Sequence, residues 1–279
     1  MTIETHKIKG EAKSLKMENG VVLTYCERGE QNEEVIIFPG FFFYTFIPVI
    51  ERLAERYHVY GVVMRFNGPT TEMGADGRPH WSKQWGKDLY GFMQKLGLQR
   101  VHLFGKCHGS VPCWYIYKEH PEMVIDFCSF FLAPHLKPAN SANWFGLLDK
   151  GLPAMMAAAV RDVEKGVPKK MEEAKAMSEA DLPNMWAIQE YASSSEKLWD
   201  SVEECERALR NNSIPLCFLF GSDDPLFSDY LDANLYLWQA AKDSRFVMLQ
   251  GEKHLMEIDC PERVADEALL FFEMAARKY

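Results

Sequence analysis

The chain has 279 residues, 47% of them hydrophobic, and 31 lysines and arginines against 40 aspartates and glutamates give a net charge of −9. That length suits one large domain, or a core carrying an insertion, with enough apolar material for a sizeable interior. The acidic balance argues against a nucleic-acid partner and against an anionic membrane surface.

No apolar run approaches membrane-spanning length, and Met1-Thr2-Ile3-Glu4-Thr5-His6-Lys7 lacks an apolar signal region. A soluble, cytoplasmic protein acting on a small molecule is expected, with neither a nucleic-acid nor a membrane partner. The seven cysteines are irregularly spaced and include no Cys-x-x-Cys pair. They read as reduced thiols rather than a disulfide framework or zinc site, and nothing calls for a metal or cofactor.

Asn19-Gly20 marks a turn, and Val21 to Glu27 reads as one arm of a hairpin. Val35-Ile36-Ile37-Phe38 is a short β-branched run of the kind found in buried parallel strands, closed by Pro39-Gly40. Phe41, Phe42, Phe43, Tyr44 and Phe46 follow. Such a cluster can be core, but a loop leaving the C-terminal end of a strand is where α/β sheets place ligands, so an aromatic pocket wall is the preferred reading. Ile47 to Arg56 carries a helical apolar stripe, His58 to Met64 is the next strand, and Arg65 to Thr70 is a turn-rich loop. Arg65 and Asn67 in that loop are candidates for polar contacts with substrate. Trp85 to Gly97 reads as an amphipathic helix.

Val101 to Phe104 is a buried strand that breaks at Gly105-Lys106-Cys107-His108-Gly109 and resumes as a helix through Val111 to Tyr117. Strand, sharp turn and helix, with a nucleophile at the apex and small residues on either side, describe a nucleophile elbow. The apex residue is Cys107. Val124 to Leu132 is a further strand. From 135 to about 212 the β-branched runs disappear; Met155-Met156-Ala157-Ala158-Ala159, the charged stretch 169–175 and Met185-Trp186-Ala187-Ile188 read as an all-helical insertion, a lid on the C-terminal edge of the sheet. Residues 1–134 and 213–279 then form the core. Alternation resumes with a strand at Ile214 to Phe220, a helix at Leu231 to Ala241, a strand at Arg245 to Leu249 and a closing helix at Pro261 to Ala276. Alternating strands and helices at this spacing imply a doubly wound, mostly parallel α/β sheet. A dinucleotide-binding reading fails because no Gly-x-Gly-x-x-Gly follows the first core strand.

Cys107, an acid within Asp223-Asp224, and His254 each lie just beyond the C-terminal end of a different strand. In a parallel sheet these ends share one edge, so the three can converge. Their order, nucleophile then acid then histidine, is that of the α/β-hydrolases. With these residues in hand the chain resembles the α/β-hydrolase superfamily, in its lid-bearing branch of esterases, C–C bond hydrolases, epoxide hydrolases and related lyases. The likeness runs from about Val21 to the C-terminus. It implies an α/β-hydrolase fold and selects Asp224, the third residue after Gly221, as the acid. Gly251-Glu252-Lys253-His254 is similar to the family's histidine loop. The resemblance also implies an oxyanion hole made by the backbone N–H groups of Phe41 and His108, and a pocket lined by Phe42, Phe43, Arg65 and Trp186.

Two departures stand out. Pro39 replaces the family's usual histidine before Gly40, and Cys107 replaces its serine. Dienelactone hydrolases and certain thioesterase domains are similar in carrying a cysteine there. The implied activity is hydrolysis or acyl transfer from an ester, lactone or thioester of a largely apolar small molecule through a thioester on Cys107. His254 would be the base and Asp224 its orienting partner. Lyase or C–C hydrolase chemistry at the same site, and ligand binding without turnover, are the alternatives.

Overall fold

The computed structural model describes residues 12–40, 44–65, 70–74, 77, 80–130, 150, 152–175, 198–225 and 235–276. Within them, eight strands form one sheet in the order β1-β2-β4-β3-β5-β6-β7-β8. They are β1 (Lys13–Lys16), β2 (Val22–Arg28), β3 (Val35–Gly40), β4 (His58–Val63), β5 (Val101–Lys106), β6 (Val124–Phe130), β7 (Leu216–Gly221) and β8 (Ser244–Leu249). β1 and β2 form the hairpin expected around Asn19-Gly20, and β2 runs antiparallel to β4; every later neighbour is parallel. Parallel strands are connected by crossover helices that cover both faces, so they bury both sets of side chains. Accordingly, every residue of β5 and β7 is buried.

Helices α1 (Ile47–Leu53) and α9 (Pro261–Ala276) pack together, and the α9 residue Phe272 lies edge-on to Tyr57 and against His102 of β5. Helices α2 (Trp81–Lys95) and α3 (Ser110–Glu119) pack together elsewhere, and Trp114 of α3 meets Phe127 of β6 edge-on at 4.7 Å. Such aromatic pairs add about 0.5–1.5 kcal/mol each to the area they bury.

Several boundaries differ from expectation, among them the end of α1 at Leu53 rather than Arg56, and two have a clear local cause. α2 begins at Trp81 rather than Trp85, because His80 acts as its N-cap and accepts from the Lys83 N–H at 3.4 Å. β7 begins at Leu216 rather than Ile214; Pro215 has no N–H for the ladder, although its carbonyl accepts from the Phe127 N–H at 3.0 Å.

Between β6 and β7 the described residues form helices α4 (Leu152–Ala159), α5 (Val163–Lys175) and α6 (Val202–Asn211). Much of the segment 135–212 lies outside the described residues. α4 and the turn after it are fastened to the segment that follows β8. The Leu255 N–H donates to the Ala159 carbonyl at 2.9 Å, and the Asp259 carboxylate accepts from the N–H groups of Arg161 and Asp162 at 2.6 and 3.1 Å. Met156, Ala159 and Val160 pack on Leu255 and Ile258. Residues 235–240 form helix α7, and Met256–Asp259 forms the short α8. Among the described residues, no helix is long and apolar enough to cross a membrane.

Candidate active site

β5 leaves Lys106 in an extended conformation, φ −118° and ψ 132°, and the chain then reverses at Cys107, whose φ is 49°. Cys107 is the one non-glycine residue with positive φ among those described. Such a conformation costs on the order of 1–3 kcal/mol and persists only where its surroundings enforce it. Here the surroundings need glycine on both sides. A Cβ on Gly105 would stand 2.6 Å from the Ser110 Cα, and one on Gly109 would stand 2.4 Å from the Pro39 carbonyl oxygen. The first glycine lets the helix fold back on the strand; the second lets the elbow abut the end of β3. Cys107 to Gly109 make one 3₁₀ turn and α3 continues from Ser110, so the sulfur stands at a helix N-terminus, where the dipole favours an anion.

His254 comes from the turn after β8, and Asp224 follows β7. His254 Nδ1 lies 2.8 Å from Asp224 Oδ2, with both side chains buried. That bond fixes the ring against Asp224, and Cys107 acts on the same ring. Burial alone would push the imidazolium down, but Asp224 and Cys107 hold it up, to about 9. For Cys107 burial likewise opposes the charged form, yet His108 and His254 overcome it and hold the thiol well below its ordinary range. Burial pushes the thiols of Cys26, Cys113, Cys128, Cys205 and Cys260 in the other direction. The site therefore favours a thiolate–imidazolium pair.

His108 contributes more than a backbone N–H. Its Nδ1 is 3.2 Å from the Cys107 sulfur, so two imidazoles address one sulfur. With the sulfur ionised, Nδ1–H is the donor. A sequence can show that a histidine follows Cys107, but not that its ring folds back onto the sulfur.

Lys106 is held by an acid from α8. Its ammonium is buried, is ion-paired with the buried Glu257 of α8, and lies 5.1 and 5.3 Å from the ring centres of Phe46 and Phe130. Burial pushes this ammonium down, with Glu257 opposing. Nothing in the sequence marks Glu257 as its partner.

The other candidates fall as follows. Asp223 is not the partner of His254; its carboxylate accepts from the Ser222 hydroxyl at 2.7 Å at the surface. Arg65, expected to meet substrate, is buried and forked onto Asp88 at 2.7 and 3.2 Å, while its carbonyl accepts from the Trp85 indole at 2.7 Å. A guanidinium taken out of water needs such a partner, and α2 supplies it. His102 is buried in β5 against Asp126 of β6, brought opposite it by a register shift at Val101/His102. His120 stacks on Tyr90 at 3.7 Å. Phe41, Phe42, Phe43, Asn67, His135 and Trp186 lie outside the described residues. No group of three His, Cys, Asp or Glu side chains that could hold a metal ion occurs among those described.

No protein-family model matches the chain, and no curated protein matches it. Solved structures do. The chain is similar to the meta-cleavage product hydrolase of Pseudomonas fluorescens IP01, with a TM-score of 0.76, 15% identity, and coverage of 94% of this chain and 98% of that one. It is similar to the 2-hydroxy-6-oxo-6-phenylhexa-2,4-dienoate hydrolase of Rhodococcus sp. strain RHA1, with a TM-score of 0.72 at 16% identity over 94% of this chain and 99% of that one. It is also similar to the naproxen esterase of Bacillus subtilis, with a TM-score of 0.68 at 15% identity over 94% and 91% of the two chains. The fold is therefore that of the α/β-hydrolases: a mostly parallel eight-stranded sheet with flanking helices.

Proposed function

We propose that this chain is a hydrolase or acyl transferase that uses Cys107 as its nucleophile, on an ester, lactone or thioester of a largely apolar small molecule. The observation that carries the reading is the relay Asp224–His254–Cys107 at the C-terminal edge of the sheet, with the sulfur on a strained elbow. A buried structural histidine has no need of a carboxylate on one side and an ionisable thiol on the other. Segment 135–212 serves as the lid over this edge, and the phenylalanines after Gly40 and Trp186 form the apolar pocket. That the proteins of similar fold include an esterase and carboxylate-substrate hydrolases accords with this chemistry.

The roles follow from the geometry. The thiolate attacks the acyl carbon, forming a C–S bond while the carbonyl electron pair moves onto oxygen. The backbone N–H groups of His108 and Phe41 hold that oxyanion, a role in which one donor is worth about 2.7–4 kcal/mol. Collapse breaks the bond to the leaving group, which departs with the electron pair and takes the proton of His254. The now neutral His254 deprotonates water or another acceptor as that acceptor adds to the thioester carbon, forming its new bond to the acyl group and pushing the carbonyl electron pair onto oxygen again. The second collapse breaks the C–S bond and returns its electron pair to the sulfur, and His254 keeps the proton it took. Asp224 holds the tautomer and stabilises the charged ring throughout.

Steady-state turnover of acyl donors by the Cys107→Ala and His254→Ala variants tests this reading. Each is expected to lose at least about 10³-fold in kcat/KM, since groups acting as one unit fail together. Turnover of such donors that persists in Cys107→Ala would refute it.

A further inference from the structure

The proposed acyl chemistry needs one imidazole, and the structure supplies two. His254 is held by Asp224, and His108 Nδ1 stands 3.2 Å from the same sulfur. His108 is half-buried and lies next to the nucleophile in sequence, and its ring nitrogen meets the sulfur directly. A second donor on a thiolate has a definite chemical consequence. It stabilises the anion, which lowers its nucleophilicity a little and makes it a much better leaving group. In the tetrahedral adduct two groups compete to leave, the Cys107 thiolate and the group the donor brought in. The more the thiolate is stabilised, the more often the adduct reverts to starting material, unless the other leaving group is comparably stable.

Resting on the proposed nucleophilic role of Cys107, we propose that His108 is a catalytic residue that sets the substrate class, restricting turnover to donors whose leaving group is itself a stabilised anion: thioesters, and aryl or enol esters and lactones. In the forward step the thiolate adds to the acyl carbon, and the C–S bond of the donor thioester, or the C–O bond of the aryl or enol ester, breaks. The departing thiolate, phenolate or enolate carries away the electron pair and is protonated by His254. Simple alkyl esters would have to expel an alkoxide against a doubly hydrogen-bonded thiolate, and the adduct returns to ester. In the second half-reaction the same His108 hydrogen bond assists, because the sulfur is then the group that must leave.

The test is a series of donors sharing one acyl chain and differing in leaving group: an alkyl thioester, a phenyl ester and an ethyl ester. kcat/KM is measured for each, with intact-protein mass spectrometry for acylation of Cys107. A leaving-group slope of about 0.5 over the roughly seven pKa units separating a thiol from an alcohol gives an expected thioester preference of about 10³-fold in the wild type. His108→Phe removes the donor and is expected to lower that preference at least about tenfold, and to raise the pH at which the thiolate absorbance appears. His108→Asn, whose amide reaches the position of Nδ1, is expected to keep most of it. Ethyl ester turnover within about tenfold of the thioester in the wild type overturns the inference whatever the variants do. So does an unchanged preference in His108→Phe. In both cases an acyl adduct on Cys107 leaves the parent reading standing. If no donor acylates Cys107, the parent reading falls and this inference falls with it.

Discussion

Lys106 and Glu257 form a buried ion pair that ties the residue before the elbow cysteine to a residue of α8 three positions beyond His254. The pair thus links the element that positions the sulfur to the one that positions the imidazole. Removing one partner strands a buried charge, so Lys106→Met or Glu257→Gln is expected to cost about 3–5 kcal/mol of stability. Replacing both with apolar residues of similar volume is expected to recover most of that loss. Urea unfolding of the two single variants and the double variant measures this directly; additive losses would mean that the two side chains do not act as a pair.

The pH dependence follows from the same site. Despite burial, Asp224 and Cys107 hold the His254 imidazolium up from 6.5 to about 9. The stability it contributes is therefore fully present below 6.5 and is lost as pH rises through about 9. Cys107 behaves in the opposite sense. Its folded thiol is held down, so its contribution is present above the ordinary 9.0 and is lost as pH falls through the lowered folded value. Alkylation by iodoacetamide is expected to reach its plateau below pH 9, and to need a higher pH for it in His254→Asn. An acyl-transfer rate that keeps climbing above about 9 in the wild type would contradict the assigned imidazolium.

Gly109 has a single steric job. An added methyl group would meet the Pro39 carbonyl oxygen at 2.4 Å and the Gly40 Cα at 3.3 Å. Gly109→Ala is expected to cost about 1–3 kcal/mol as an overpacked contact. It should also lower kcat more than it raises KM, because the displaced strand end leads into the segment proposed to supply the oxyanion donor. Thermal melting together with kinetics separates the two effects.

Asp259 anchors the turn between α4 and α5 to the segment that carries His254. Hydrogen bonds to a charged group are worth about 1.5–3 kcal/mol, so Asp259→Ala is expected to speed amide exchange at Arg161 and Asp162 by one to two orders of magnitude. Exchange in β5 and β6 should not change.

The sheet was legible in the chain because buried parallel strands are short β-branched or aromatic runs with punctuation at their ends, as at Val35-Ile36-Ile37-Phe38-Pro39-Gly40. The elbow was legible because only small residues fit two positions before and after Cys107, and strand topology carried Cys107, Asp224 and His254 to one edge. What escaped were facts of side-chain direction. Arg65 has the chemistry of a substrate clamp, yet turns inward to Asp88. Lys106 sits beside Cys107 in sequence, yet reaches Glu257. The His108 ring folds back onto the sulfur. The first two depend on partners brought close by tertiary structure, which periodicity does not encode, and the third on a side-chain rotamer that residue order does not fix. β1 was only implied, because Lys13-Ser14-Leu15-Lys16 is an edge strand with little apolar pattern.

Intact-protein mass spectrometry of the full chain, milliseconds to seconds after mixing with an excess of an acyl thioester, tests the central claim most directly. The account predicts a mass increase equal to one acyl group, located on Cys107 by peptide mapping, absent in Cys107→Ala and decaying as product appears. Product formed at the wild-type rate with the acyl group never found on Cys107 would contradict it.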